Sequence, residues 1–253
     1  MTTFKLVLEY DGTHYAGWQR QPNAPTVQET VEQALSAIAQ TRLTVVGAGR
    51  TDAGVHALGQ VASFRTDRGL SEREWVRALN AHLPADISAL SVVAVADAFH
   101  ARYSAKGKLY EYHLLNRRER APLLRERAWM LYKPLDLAAM KDAAACLIGN
   151  QDFSSFETAP TDNDNPQCHL QQAELRRQGD LIICAFYADR FLKQMVRSIV
   201  GTLVEVGQGK RTPSDMLRLL AARARAAAGR TAPAHGLYLV RVDYTDTSIP
   251  DLP

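Results

Sequence analysis

The sequence predicts an α+β fold, and three observations support this prediction. Between Phe4 and Tyr10, apolar and polar residues alternate with the period of a strand that buries one face. Residues 26–40 and 71–82 instead repeat apolar side chains with helical spacing behind a Thr or Ser cap. The elements follow in the order β, α, β, turn, β, α, β, which is typical of a sheet with helices on one face.

The composition is that of an ordinary globular protein. Hydrophobic residues make up 46% and charged residues 23% of the chain, and no apolar run approaches the roughly 18 residues that span a bilayer. The length of 253 residues allows two domains, which we predict at 1–104 and 105–253. Because the N-terminus enters a strand pattern without the features of a signal peptide, we expect a cytoplasmic protein that binds no membrane.

The cysteines and the charged residues limit the kinds of binding site that the chain can form. The three cysteines, Cys146, Cys168 and Cys184, have no short paired spacing and supply neither a disulfide framework nor a zinc site. The formal net charge of +3 is too small to indicate nucleic-acid binding by itself, although the arginines occur in local clusters.

In the first half, period and capping residues predict strands at 4–10, 43–46, 60–64 and 87–95 and helices at 26–40 and 71–82. Thr26 with Glu29, and Ser71 with Glu74, have the spacing of a capping box. The loop that precedes the first helix carries Tyr15, Trp18 and Arg20. These side chains either stack on nucleic-acid bases or close over the core.

In the second half, the patterns predict strands at 108–115, 129–132, 172–177, 181–187 and 236–242 and helices at 136–147, 190–206 and 214–228. Gly179-Asp180 is the predicted turn of a hairpin. In the helix at 190–206, Lys193, Arg197 and Gly201 lie on one flank. Residues 157–169 are polar and contain proline, so they are predicted to form a loop; their aspartates lack the glycine of a calcium loop.

Residues 45–64, which read VVGAGRTDAGVHALGQVASF, concentrate charge and backbone freedom between two apolar runs. Their glycines permit a turn that pushes Arg50 and Asp52 outward from the end of a sheet, or a sharp connection in which this pair satisfies itself. The glycine spacing does not match G-x-G-x-x-G, and residues 207–211 do not match a P-loop. A mononucleotide-phosphate site is therefore disfavoured.

Five blocks in this order carry a family resemblance: EYDGTHYAGWQRQ, GRTDAGVHALGQVASF, DAFHARYSAKGKLYEYHLLN, MVRSIVGTLVEVGQGK and APAHGLYL. Together they extend from Glu9 to Leu239, and the chain resembles the tRNA pseudouridine synthase A family over nearly its whole length. The resemblance implies two ferredoxin-like α/β-sandwich domains whose sheets join around a central cleft. It also implies a homodimer that isomerises uridines 38–40 in the anticodon stem-loop of tRNA and uses no metal or organic cofactor.

The resemblance also assigns roles to residues of this sequence. It implies that Asp52 is the essential catalytic carboxylate, that Arg197 is its partner, and that Arg50 enters the RNA stack when the target base flips out. Tyr110 would be a catalytic residue that lies against that base, with a hydroxyl able to assist removal of the C5 proton in the last step. Leu237 would contact the base. The chain departs from the family at Asn165-Pro166-Gln167-Cys168-His169, where relatives place arginine with threonine, so the RNA contacts of that loop are in question.

The chemistry of the reaction fits one carboxylate. Breaking the bond from C1′ to N1 builds positive character at C1′. A carboxylate can respond as a nucleophile that bonds to C1′, or it can act as the base that starts elimination. The side chains also have simpler explanations: Tyr110 as a buried strand tyrosine, Arg197 as a solvated helix-flank arginine, and His56 as a structural partner within the turn.

Two other functions compete with the enzyme. A non-catalytic RNA-binding protein of the same fold would be expected to have lost Asp52 or Arg50, and both are present. A hydrolase that uses Asp52 with His56 lacks a recognisable nucleophile with an orienting acid. The sequence therefore favours the isomerase.

Overall fold

The computed structural model describes residues 1–158 and 165–244, and in this part of the chain α and β elements are mixed, as predicted. The chain divides into two compact units, one of residues 1–108 with the segment that starts at Leu239, and one of Leu109–Tyr238. The closing segment thus belongs to the first unit. The predicted domains 1–104 and 105–253 stay a prediction. No helix within the described ranges is both long and apolar enough to cross a membrane.

The elements of the first unit are β1 (Thr2–Tyr10), α1 (Val27–Ala39), β2 (Val46–Gly47), β3 (His56–Thr66), α2 (Glu72–His82), β4 (Ile87–Val95) and β10 (Leu237–Asp243). Its strands neighbour each other in the order β4-β1-β3-β10, and β1 is antiparallel to both of its neighbours. The apolar side chains of β1 are buried as their alternation predicts. Phe4 and Phe64 stack at 5.3 Å between ring centroids, and Trp75 of α2 packs edge-on against Phe64.

The two helices of this unit begin at the predicted caps. The Ser71 side chain and Glu74 form a complete capping box at the start of α2. At α1, the Thr26 hydroxyl accepts a hydrogen bond from the Glu29 backbone N–H, but the Glu29 carboxylate pairs with Arg20 at 3.2 Å. The capping box predicted at α1 is therefore only half formed.

The strand predicted at 43–46 is wrong, because only Val46–Gly47 pairs with the sheet. Two side chains of α1 accept hydrogen bonds from backbone N–H groups that a longer strand would use for pairing. The Leu43 N–H donates to the Ser36 hydroxyl at 2.9 Å, and the Val45 N–H donates to the Glu32 carboxylate at 3.1 Å. Side-chain acceptors that are distant in sequence compete here with the ladder.

The elements of the second unit are β5 (Gly107–Asn116), β6 (Trp129–Leu131), α3 (Leu137–Ala145), β7 (Gly149–Asp152), β8 (Gln167–Gln178), β9 (Leu181–Ala188), α4 (Met195–Gly207) and α5 (Asp215–Ala222). Its strands neighbour each other in the order β5-β9-β8-β7, and β6 pairs in parallel with β5. The hairpin of β8 and β9 turns at Gly179-Asp180, as predicted.

The polar loop predicted at 157–169 is wrong at its end. Residues 159–164 lie outside the described part of the chain, but β8 already begins at Gln167. Cys168 and His169 pair with β7, a strand that the sequence did not predict. The four residues of β7 are too few and too polar to show a strand period.

The helices predicted at 190–206 and 214–228 are shorter than expected. Gln194 adopts a left-handed conformation, so α4 begins at Met195 and Lys193 lies outside it. Lys193 therefore does not share a helix flank with Arg197. Arg223 is also left-handed and ends α5 at Ala222, and the next N–H, that of Ala224, donates to the Ser155 hydroxyl at 2.8 Å.

Candidate active site

Asp52 lies in the turn between β2 and β3, half-exposed between the buried residues Thr51 and Val55. The Val55 N–H donates to the Asp52 carbonyl at 3.1 Å, which closes the turn. The local sequence thus holds the backbone tightly while the Asp52 side chain remains accessible.

A second loop, residues 11–18, is hydrogen-bonded to the backbone of this turn. The Trp18 N–H donates to the Thr51 carbonyl at 3.0 Å, and the Gly54 N–H donates to the Tyr15 carbonyl at 3.3 Å. Gly17 has φ +94°, and a Cβ there would lie 2.5 Å from the Thr51 carbonyl oxygen. The blocks EYDGTHYAGWQRQ and GRTDAGVH, which are separate in the sequence, therefore form one structural element.

Buried side chains fix the same turn from the sheet. The Tyr10 hydroxyl lies 2.9 Å from the Thr51 hydroxyl, and the Gln60 amide donates to the Gly49 carbonyl at 2.9 Å. Burial raises the pKa of Tyr10 to about 12, so its phenol stays protonated at neutral pH. Tyr10 and Gln60 are positioning residues that the sequence did not reveal, since buried strand side chains have no distinguishing pattern.

His56 was predicted to lie within the turn, but it is the first residue of β3. It is buried, and its Nδ1 lies 3.0 Å from the Gly12 backbone nitrogen and 3.1 Å from a carboxylate oxygen of Asp11. These contacts give His56 a structural role that ties β3 to the end of β1.

Arg50 is exposed, and its Nε donates to the Gln19 side chain at 3.1 Å. The two aromatic residues of the neighbouring loop pack into the core of the first unit. Trp18 is only 2% exposed, and Tyr15 is buried with its hydroxyl donating to Asp86 at 2.8 Å. Of the two alternatives for this loop, the structure favours closure over the core.

Tyr110 lies on β5 in the second unit and is 7% exposed. Its ring packs edge-on against Phe191, with 5.1 Å between the ring centroids. Leu237, which follows a short 3-10 helix at Ala234–Gly236, is also largely buried at the start of β10.

Arg197 lies in the first turn of α4 and is half-exposed. Its Nε donates to the Ala232 carbonyl at 2.8 Å, and the Ala232 N–H donates back to the Arg197 carbonyl at 3.0 Å. A Cβ at Gly201, one turn later, would collide with the Arg230 carbonyl. Arg197 is thus held where the segment 230–232 lies close against α4.

Tyr112 links this region to β5. Its hydroxyl donates to the Pro233 carbonyl at 2.7 Å, and its ring touches the position that a Gly236 side chain would take. Burial raises the pKa of Tyr112 far above its ordinary value, although the positive charge of Arg197 lowers this pKa by a smaller amount. The sequence did not predict a role for Tyr112.

The predicted site residues fall into two groups. Arg50 and Asp52 lie in one turn of the first unit, whereas Tyr110, Arg197 and Leu237 lie in the second unit or at its end. Among the residues that the structure describes, no three His, Cys, Asp or Glu side chains are grouped so that they could hold a metal ion.

Comparison with known proteins decides the family. A family model described as tRNA pseudouridine synthase matches residues 6–104 and 143–245, which is well over half of the chain. The chain belongs to this family. The matched ranges include Arg50, Asp52, Arg197 and Leu237, whereas Tyr110 lies between them.

Curated members of the tRNA pseudouridine synthase family align over nearly the whole chain. The chain is 49% identical to tRNA pseudouridine synthase A of Moorella thermoacetica and 46% identical to that of Afipia carboxidovorans, and each alignment covers 96% of this chain and 100% of the relative. It is 44% identical to tRNA pseudouridine synthase A of Escherichia fergusonii, with 95% of this chain and 89% of the relative covered.

Proposed function

We propose that this protein isomerises uridine to pseudouridine in tRNA, at positions 38–40 of the anticodon stem-loop, with Asp52 as the essential carboxylate. The observation that carries the proposal is the Asp52 turn. A backbone hydrogen bond from the loop 11–18 holds Thr51 in place, and another closes the turn at Val55. The Asp52 side chain is half-exposed. A carboxylate that stabilises the charge developing in the transition state must be accessible to the substrate and held in place. The fixed backbone and the accessible side chain of Asp52 meet both requirements.

The reaction itself needs little else. The bond from C1′ to N1 breaks, the uracil turns, and C1′ bonds to C5, whose hydrogen leaves as a proton while N1 gains one. No atoms are otherwise gained or lost, so no outside reagent is consumed, and the proposed reaction uses neither a metal nor an organic cofactor. The Asp52 carboxylate either attacks C1′ as the nucleophile that holds the sugar, or removes the proton from C2′ as the base that starts elimination.

Extrusion of the target base is assigned to Arg50. A stacked uridine must leave its neighbours, which costs a few kcal/mol unless another group fills the gap. Arg50 is exposed, two residues from Asp52, and its Nε is oriented by Gln19. A planar guanidinium suits the space between two bases.

Three residues of the second unit complete the proposed mechanism. Tyr110 offers an aromatic face to the extruded uracil, Leu237 provides an apolar contact for it, and Arg197 balances the charge of the Asp52 carboxylate. The edge-on contact with Phe191 and the hydrogen bond to the Ala232 carbonyl hold Tyr110 and Arg197 in fixed orientations. Pre-oriented groups of this kind lose little entropy when a substrate binds.

The finer architecture belongs to the same proposal. Two ferredoxin-like α/β-sandwich domains would join their sheets around a central cleft, two copies of the chain would form a homodimer, and the protein would act in the cytoplasm. Resemblance to the family and the two compact units of the chain support this proposal.

Release of tritium from tRNA that carries 5-tritiated uridine tests the function, because isomerisation must discharge the C5 hydrogen. The wild-type protein should release tritium, and the Asp52→Asn variant should bind tRNA without releasing it. Asp67→Asn, which alters an exposed aspartate of the same unit, is the matched control and should keep full activity. Product from Asp52→Asn would refute the role of Asp52, and binding without product by the wild type would favour an RNA-binding protein.

A further inference from the structure

The turn at residues 100–104 lies on the face of the first unit's sheet that α2 does not cover. Phe4 and Phe64 point towards Trp75 of α2, so their neighbours Lys5 and Ser63, which pair with each other, point the opposite way. The Ala101 N–H donates to the Ser63 hydroxyl at 3.3 Å, which fixes the turn on this second face.

Three side chains of this turn form a stack that opens to solvent. The rings of His100 and Tyr103 are stacked with 4.4 Å between their centroids. The Arg102 guanidinium lies 5.6 Å from the centroid of the Tyr103 ring. Arg102 is exposed, and Tyr103 is 77% exposed. We call this stack of His100, Arg102 and Tyr103 the 100–103 platform.

The backbone beneath the platform is fixed. His100 Nδ1 accepts hydrogen bonds from the N–H groups of Arg102 and Tyr103, both at 3.2 Å, and the Ser104 N–H donates to the His100 carbonyl at 2.9 Å. The Tyr244 hydroxyl donates to the carbonyl of the fully buried Ala101 at 2.8 Å. An exposed ring on a fixed backbone loses little entropy when a planar ligand stacks on it.

A single exposed tyrosine is ordinary at a protein surface. Here an imidazole is stacked on the tyrosine ring, and a guanidinium lies over the ring at 5.6 Å from its centroid. Unpaired nucleobases stack on aromatic and guanidinium planes, and a cation close to the ring also attracts the phosphate that each nucleotide carries.

We propose that the 100–103 platform binds an unpaired nucleotide of the tRNA substrate other than the reacting uridine, with the base stacked on Tyr103 and the phosphate near Arg102. The proposal rests on tRNA being the substrate. The platform adds affinity and orientation and takes no part in the chemical step.

Binding of a full-length tRNA transcript with cytidine at the target positions tests the proposal without turnover. Tyr103→Ala and Tyr103→Leu should each raise Kd about tenfold, which corresponds to about 1.4 kcal/mol and lies within the range for one stacked base. Tyr103→Phe keeps the ring and should stay within about twofold of the wild type. Tyr132→Ala, which removes another exposed tyrosine, is the matched control and should leave Kd unchanged.

Two further measurements separate stacking from other causes. On 5-tritiated tRNA, Tyr103→Ala should raise KM while kcat stays within about twofold. Removal of Tyr103 should leave the salt dependence of Kd unchanged, whereas Arg102→Ala should reduce its slope by about one phosphate contact.

Three results would overturn the inference: an unchanged Kd for Tyr103→Ala, an equal loss for Tyr103→Phe, or a change in molecular mass in solution. The last would make the platform a contact between copies of the chain. If the wild type released no tritium while Tyr103→Ala still weakened tRNA binding, the proposed isomerase would fail and the platform would stand.

Discussion

Gly17 lies directly against Thr51, so close that a Cβ at Gly17 would be 2.5 Å from the Thr51 carbonyl oxygen. The next N–H, that of Trp18, donates to this same oxygen. The residue before Asp52 is therefore fixed by a loop that lies more than 30 residues earlier in the chain. The position of the Asp52 carboxylate depends on that loop as much as on its own turn.

Gly17→Ala should reduce the rate of isomerisation strongly, because the new methyl group forces the turn of Thr51 and Asp52 to move. Its positive φ adds strain of about 1 kcal/mol or more. Because a misplacement of about 1 Å in a catalytic group costs roughly 100-fold in rate, we expect a loss of that order in kcat. Tritium release at saturating tRNA measures it.

Gly69→Ala is the control for this substitution. A Cβ at Gly69 meets nothing within 4 Å, and its φ is not positive. It should leave both kcat and the melting temperature near their wild-type values. A wild-type kcat in the folded Gly17→Ala variant would show that the contact with Thr51 does not position Asp52.

Arg50→Ala should lose more activity on a stacked target uridine than on an unpaired one. The stacked base must be extruded, and without the guanidinium nothing fills the gap that it leaves. We expect a loss of about 10- to 100-fold for the stacked substrate and a severalfold loss for the unpaired one. Gln19→Ala, which only frees the Arg50 Nε, should show the same preference more weakly. Equal losses on both substrates would remove base flipping as the role of Arg50.

Arg197→Ala should impair catalysis more than stability. The hydrogen bond from Nε to the Ala232 carbonyl, which the substitution removes, contributes about 1 kcal/mol to the free energy of unfolding. If the guanidinium partners the Asp52 carboxylate, kcat should fall about 100-fold or more. Denaturant unfolding and tritium release measure the two effects. Arg177→Ala, an exposed arginine of the same unit, should change neither. An unfolded Arg197→Ala protein, or one with normal kcat, would contradict the assignment.

Tyr10 should make the stability fall at alkaline pH. Burial raises the pKa of its phenol from about 10 to about 12, although the hydrogen bonds with Thr51 and Gln60 lower this pKa by a smaller amount. The folded state therefore holds the proton more tightly than the unfolded state, and this contribution is fully present below about pH 10 and is lost as the pH rises to about 12. The loss amounts to about 2 to 3 kcal/mol.

Tyr10→Phe isolates this contribution, since every other titrating group is common to both proteins. Below about pH 10 the variant should be less stable by about 1 kcal/mol, the value of the hydrogen bond to Thr51. Between pH 10 and 12 the difference should shrink and then reverse. A difference in the free energy of unfolding that stays constant over this range would show that Tyr10 does not titrate with a raised pKa.

Local pattern predicted most of the elements because their signals are local. The alternation of β1 and the capping boxes depend on residues two to four positions apart, and the structure confirms the strand and the helix starts at Val27 and Glu72. The predicted strand at 43–46 failed for the opposite reason. Its N–H groups bond to Ser36 and Glu32, whose side chains no periodicity connects with it.

The candidate site divides in the same way. Arg50, Asp52, Tyr110, Arg197 and Leu237 were named from motifs, and their roles stay predictions. Gly17, Tyr10, Gln60 and Tyr112 position the turn and the Arg197 region, and they were missed because a supporting contact depends on geometry between distant segments. Residue type alone separates none of them from ordinary core residues.

The sequence by itself therefore determined the α+β class, the family, and an Asp and Arg pair in a glycine-rich turn, because these depend on local period and contiguous motifs. Only the tertiary structure decided that α4 starts after Lys193, that Trp18 closes the core, and that the Asp52 turn rests on the loop 11–18. These features follow from hydrogen bonds and close packing between residues far apart in the chain, and such contacts leave no periodic trace in the sequence.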